Sequence, residues 1–374
     1  MEEFRELVEN HHDYAQDWKA KTGGKVVGYF CTYVPEEIIY AAGMLPVRII
    51  GSHDSNVGTE RHIANMYCSF CRDCLSQGLK GRYPYLDGMV KARSCQQMRQ
   101  AFASWQKHMP TEYSYYISVP ALIQSPHAKP FLVAELSYFK KSLEEWTGKP
   151  ISDEALKQAI ETYDLNRRLL RQIYELRKDD EPPISGADAL EMTLSSQLVD
   201  KAEHNRLLSE ALPKLQQPSQ RPTAGVRLMH IGSETDDIDY VKLIESLGSI
   251  VVIDETCTGS RYFWNEGGTD GDLLEAIAKR YLERPPCPAK DQPESRRFTH
   301  IMELIRDFRV EGVIMTLQRF CHNHETDIPG LQALFEKEGI PLLQLEYSFI
   351  APANWYQNRI EAFLEMIRAE LLWV

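Results

Sequence analysis

Residues 25–51 read KVVGYFCTYVPEEIIYAAGMLPVRIIG, and this stretch decides the fold. KVVGYF (25–30) is a short apolar run suited to a buried strand. PEEIIYAAGM (35–44) has helical periodicity and opens on Pro35, a residue tolerated in a first helical turn. LPVRIIG (45–51) is a second strand, followed by a polar loop from Ser52 to Glu60. Strand, helix, strand in so short a span is a βα unit, which predicts a parallel sheet with helices on its faces.

The same rhythm continues outward. Strands are expected at DGMVKARS (87–94) and EYSYYISVP (112–120), with helices at about 63–79, 96–108 and 130–148, the last stopped by Gly148. From Ser152 to about Asp180, and from about Ala187 to Leu212, the pattern is helical with no strand between. Ser152 serves as N-cap, and Pro182-Pro183 separates the two stretches. QQPSQRPTAG (216–225) reads as a linker. Beyond it lie strands VRLMHIG (226–232), SIVVIDE (249–255), GVIMTLQ (312–318) and PLLQLEY (341–347). Helices alternate with them near 236–247, 271–283, 295–309, 328–338 and 354–371. The expected architecture is α/β: two Rossmann-like, flavodoxin-like parallel-sheet domains, 1–150 and 222–374, joined by a helical segment, 151–221.

Four of the eight cysteines follow a strand-like run: Cys31 ends KVVGYFC, Cys95 ends GMVKARSC, Cys257 ends SIVVIDETC and Cys321 ends GVIMTLQRFC. In open α/β sheets ligands bind in the crevice outside the carboxyl ends of the strands. Thiolates gathered there hold soft metal centres, iron–sulfur clusters above all. Cys68-x2-Cys71-x2-Cys74 has two readings: three ligands of ferredoxin type, or one ligand with two core thiols, since the segment reads helical and lacks the further Cys-Pro continuation. Cys287 sits in the proline-fixed RPPCPAK. Cys321-His322-Asn323-His324-Glu325 could belong to a zinc site, although no paired CxxC accompanies it. In TCTGSRYFWNEGG (256–268) the aromatics either wall a substrate pocket, with Arg261 meeting an anion, or pack on the neighbouring domain.

A net charge of −12 argues against nucleic acid or an anionic membrane as main partner. The acidic start MEEFRELVENHHDYAQDW shows no signal-peptide pattern, and no apolar run reaches the roughly 18 residues of a membrane span. The expected compartment is the cytoplasm. There is no GxxxxGK[ST] loop and no GxGxxG after a strand, so any ATP or nicotinamide site belongs to another polypeptide.

These residues carry a resemblance. FCTYVPEEIIYAAGMLPVRIIG (30–51), YCSFCR (67–72), DGMVKARSCQQMRQAF (87–102) and QRFCHNHETDIPGLQALFEKEGIPLLQLEYS (318–348) resemble the signatures of benzoyl-CoA reductase and 2-hydroxyacyl-CoA dehydratase subunits. ETCTGSRYFW followed by RYLERPPCP is most similar to the smaller active-site subunit, the C type, of ATP-dependent benzoyl-CoA reductase. The resemblance implies cluster ligands at Cys68, Cys95 and Cys321 with Cys31 near them. Relatives with a double cubane add positions matching Cys257 and Cys287. The implied cofactor is a 4Fe-4S cluster or a double-cubane 8Fe-9S cluster. Implied partners are a paralogous active-site subunit, ATP-hydrolysing iron–sulfur activators and an acyl-CoA substrate, in an anaerobic hetero-oligomer. The implied reaction is one-electron reduction of a thioester-activated aromatic ring, with a radical 2-hydroxyacyl-CoA dehydratase and a double-cubane electron-transfer protein as alternatives. Tyr33, His322 and His324, next to ligand cysteines, are the candidate proton donors.

Overall fold

The computed structural model describes residues 1–53, 58–217, 225–290, 296–347 and 353–371. The first lobe contains α1 (Glu2–Glu9), α2 (His11–Thr22), β1 (Val26–Phe30), α3 (Glu36–Ala41), β2 (Leu45–Arg48), α4 (Ser69–Leu79), β3 (Gly88–Ala92), α5 (Gln96–His108), β4 (Tyr113–Ile117) and α6 (Ala128–Thr147). A helical segment follows: α7 (Asp153–Glu175), α8 (Gly186–Ser195) and α9 (Lys201–Leu215). The second stretch runs β5 (Val226–Gly232), α10 (Ile238–Ser246), β6 (Ser249–Glu255), α11 (Ser260–Phe263), α12 (Leu273–Glu283) and α13 (Arg296–Asp307). It ends with β7 (Gly312–Gln318), α14 (His322–Glu325), α15 (Ile328–Glu338), β8 (Leu342–Tyr347) and α16 (Ala353–Leu371). Most of the expected linker, 218–224, lies outside the described residues.

The expected α/β class is what forms. All eight strands are present in two parallel sheets, ordered β2-β1-β3-β4 and β6-β5-β7-β8. Parallel strands covered on both faces read as continuous apolar runs. β1, β6 and β7 are buried at every position. Each fully buried Leu, Ile, Val or Phe contributes about 1.5–3 kcal/mol, so these strands are the anchor of each lobe.

Helix ends follow local chemistry. The Ser152 hydroxyl accepts from the Ala155 N–H at 3.1 Å and starts α7. Gly148 ends α6 in the left-handed region, φ 67°, where a side chain would be strained. The helical stretch expected over 187–212 is broken in two. The Asp200 carboxylate accepts from the N–H groups of Ala202 (2.9 Å) and Glu203 (3.2 Å) and starts α9 afresh.

One helix sits where its chain position does not suggest. α12, from the second half of the chain, packs on α6, and its Ile277, Ala278, Tyr281 and Leu282 join the first lobe's core. The Tyr281 hydroxyl seals the contact, donating to Val34 O at 2.9 Å and Glu37 at 3.0 Å. Conversely, Phe4 of α1 belongs to the core of the second sheet.

Candidate metal centre between the lobes

In each sheet the strand order reverses between the two central strands, β1 and β3 in one, β5 and β7 in the other. That switch point is where the crevice opens in folds of this kind. Cys31 follows β1, Cys95 follows β3 and Cys321 follows β7, while Cys257 follows β6. The turns are tight: Cys31 has φ 76° and Phe320, just before Cys321, has φ 67°. Non-glycine residues in this region cost about 1–3 kcal/mol each and gather at functional sites.

Cys31, Cys68, Cys95, Cys257, Cys287 and Cys321 all line one cavity between the lobes, with Arg48, Phe70, Met98, Glu234, Asn323 and His324 among their neighbours. Cys68 and Cys95 are the N-cap residues of α4 and α5, and the Cys95 sulfur accepts from the Met98 N–H at 3.3 Å. Cys71 and Cys74 do not line the cavity. They are buried in the first lobe's core, on α4. Cys71 is still a neighbour of Cys68, whose thiol it holds in its protonated form through a side-chain hydrogen bond, reinforced by burial.

Burial governs four of the other cavity thiols. It pushes Cys321 up to about 12 and raises Cys95, Cys257 and Cys287, the nearby Lys91 opposing the rise at Cys95 and Glu234 adding to it at Cys257. Thiols that keep their protons must release them when a metal binds.

A shell of buried cations surrounds the sulfurs. Arg48, at the end of β2, donates to Cys257 O at 2.9 Å and pairs with Glu234, bridging the lobes. Arg261 stands 3.2 Å from Glu255, its Nη1 has no hydrogen-bond partner among the described residues, and its charge couples to Cys257 and Cys287. Lys91 and Lys290 are buried beside Cys31, Cys95 and Cys287, and desolvation brings Lys290 down to about 7. Gln97 ties the lobes at the cysteines: its Oε1 accepts from the Cys68 N–H at 3.1 Å and its Nε2 donates to Phe320 O.

Among the described residues no group of three or more His, Cys, Asp or Glu is arranged to hold a metal ion. That holds for the residues of the zinc reading at 321–325, where His322 is exposed while His324 faces the cavity, and equally for the six cavity thiols. A thiol-rich wall backed by buried arginine and lysine charge, with the Arg261 Nη1 left unbonded, does suit an anionic, thiolate-bound inorganic cluster.

A family model described as 2-hydroxyglutaryl-CoA dehydratase, D-component, matches residues 31–367. The chain belongs to this family. Among similar proteins, the (R)-phenyllactyl-CoA dehydratase beta subunit of Clostridium sporogenes is 26% identical over 98% of both chains. The C-type benzoyl-CoA reductase polypeptide of Thauera aromatica is 28% identical over 89% of this chain and 88% of its own. The beta subunit of (R)-2-hydroxyglutaryl-CoA dehydratase of Acidaminococcus fermentans is 24% identical over 98% of both. The family resemblance drawn from the sequence therefore holds across the chain.

For this D-component member, the remaining candidates fall as follows. Tyr33 is buried, its hydroxyl accepts from the Cys287 N–H at 3.3 Å, and burial pushes it up to about 12. His324 is kept neutral by burial. The aromatics of 256–268 do not line the cavity; Tyr262 packs inward, donating to Glu36 of the first lobe at 3.1 Å. The packing reading of that loop is the one realised. Sequence reasoning missed Arg48, Lys91, Gln97, Glu234 and Lys290 as parts of the site. Lys91 had left a signal, a charge inside the otherwise apolar strand GMVKA. No helix among the described residues is long and apolar enough to cross a membrane.

Proposed function

We propose that this chain is the iron–sulfur subunit of an ATP-dependent aromatic acyl-CoA reductase of the benzoyl-CoA type. The convergence of six cysteines from both halves of the chain on one cavity carries this reading. Cys31, Cys68, Cys95, Cys257, Cys287 and Cys321 would hold a 4Fe-4S or double-cubane cluster. When bound, such a centre supplies single electrons at potentials down to about −700 mV. The protein's part is to hold, neutralise and dry the site. Arg48, Arg261, Lys91 and Lys290 offset thiolate charge, and Phe70 and Met98 help keep water from the sulfurs. Tyr33 and His324 are the candidate proton donors, being beside Cys287 and in the cavity wall. ATP hydrolysis would come from activator subunits, and a paralogous subunit would complete a cytoplasmic, anaerobic hetero-oligomer.

A second reading, a subunit of a radical 2-hydroxyacyl-CoA dehydratase, is supported by dehydratase beta subunits that match over 98% of this chain. Both the phenyllactyl and benzoyl relatives carry an aryl acyl group in their names, which supports an aromatic acyl-CoA under either reading. The test is anoxic purification with iron, sulfide and zinc analysis, then EPR with added acyl-CoA and a count of reductant consumed. Iron with acid-labile sulfide, a substrate-perturbed signal and reductant used stoichiometrically are expected. Catalytic reductant use would select the dehydratase, and zinc without sulfide would end both readings.

A further inference from the structure

Next to the thiol cavity, and sharing Ser94, Cys95 and Asn323 with it, lies a second pocket of about 420 Å³. Arg93, Arg99 and Lys290 line it, and no carboxylate does. In a chain of net charge −12 a pocket lined by two exposed arginines and a lysine, with no acid among them, is out of character. None of the three forms an ion pair among the described residues: Arg99 lies 5.7 Å from the Tyr116 ring centre, Arg93 is exposed, and the Lys290 ammonium donates to Val119 O (3.0 Å) and Pro120 O (2.7 Å). Like charges gathered in one concavity repel each other and focus a positive potential on whatever enters. Gln96, the first residue of the 13-residue α5, adds the positive end of a helix to the same wall. Exposed arginines beside a buried lysine make a graded entrance, and the guanidinium fork matches phosphate oxygens pairwise.

We propose that this pocket binds the pyrophosphate of a coenzyme A thioester, whose flexible arm then passes Ser94 and Asn323 to bring the acyl end to the thiol cavity. The proposal rests on the acyl-CoA reading above and adds where the ligand is gripped. Free phosphate carries the same chemistry, so the test must separate the two.

The full chain, purified without oxygen, is titrated calorimetrically with coenzyme A, pantetheine and inorganic phosphate. Coenzyme A should bind at least about tenfold more tightly than either fragment, as charge-assisted bidentate contacts imply. The double variant Arg93→Gln, Arg99→Gln should lose that advantage while binding pantetheine as the wild type does. Arg93→Lys, Arg99→Lys should retain part of it, and both side chains are exposed, so the fold should survive. Equal coenzyme A affinity in wild type and the glutamine variant would overturn the assignment, as would phosphate binding as tightly as coenzyme A. Absence of coenzyme A binding overturns it too. Iron and sulfide in the same preparation then show whether the pocket alone has failed or the proposed function with it.

Discussion

The two sheets share one strand order, yet they furnish the cavity differently. The first sheet puts cysteine at the ends of both central strands, Cys31 after β1 and Cys95 after β3. The second keeps only Cys321, after β7. At the end of β5 it has Gly232, Ser233 and Glu234, and its further thiol, Cys257, follows the edge strand β6. Gly232 is fixed by crowding: a Cβ there would lie 2.1 Å from Thr316 O. The place that holds a sulfur in one lobe thus holds a close backbone approach and a carboxylate in the other. Glu234 answers Arg48 across the gap, so one lobe's extra thiol is matched by the other's charge. Two lobes of like topology make a site with unlike walls.

The comparison can be broken most decisively at its shared point. Cys95→Ala and Cys321→Ala should each abolish iron and sulfide binding, measured on anoxically purified protein. Loss in one but not the other would show that the central-strand positions are not equivalent. A smaller but still large effect is expected at Arg167, whose guanidinium is buried with Glu37 of the first lobe and with Asp164 at 2.8 Å. Glu37→Gln should destabilise by about 1.5–3 kcal/mol in denaturant unfolding, because it removes one of the two carboxylates on a buried guanidinium and leaves Asp164 as its remaining partner. A loss below about 1 kcal/mol would mean that the helical segment is not pinned to the first lobe by this pair.

The lobes also meet through His53 and Asp236, 2.8 Å apart. Asp236 lifts His53 to about 9 against the cost of burial. A raised histidine contributes stability that is complete below its unfolded value of about 6.5 and lost as pH climbs through about 9. The melting temperature should therefore fall between pH 7 and 9.5 by an amount on the order of 2 °C, and His53→Gln should flatten that fall. An unchanged slope would remove this pair as a lobe contact. The smallest effect is expected for Cys74→Ala, a core substitution that should cost about 1 kcal/mol and leave iron content intact. Lost iron there would revive the ferredoxin-like reading of 68–74.

The strands were legible because each is a short apolar run bounded by turn residues, and so were the six cysteines placed next to or near them. Strand order was not, since β1 and β2 carry no mark of which one is central. Nor was the break before α9: Asp200 is an N-cap by chemistry, but the helical pattern on either side of it masked the stop. The acid pair Glu36-Glu37 looks like the polar start of a surface helix and is in fact fully buried, matched by Arg167, Tyr262 and Tyr281 from distant segments. An amphipathic stripe announces that it needs a partner without naming one, which is why α12 was expected beside its own sheet and is found on α6. The cationic residues of the site were hidden for a related reason, because a lysine's depth depends on contacts made far along the chain.

The placement of α12 has a mechanical consequence. Cys287 rides just beyond it and packs with the first lobe's core, as Cys31 does. Cys68 and Cys95 belong to or lean on that lobe's other core cluster, and Cys321, although the second sheet carries it, packs there as well, so Cys257 alone of the six has no packing contact with a first-lobe core. If a cluster binds as proposed and the lobes flex, the load would fall on Cys257 first, and exchange of metal should begin there.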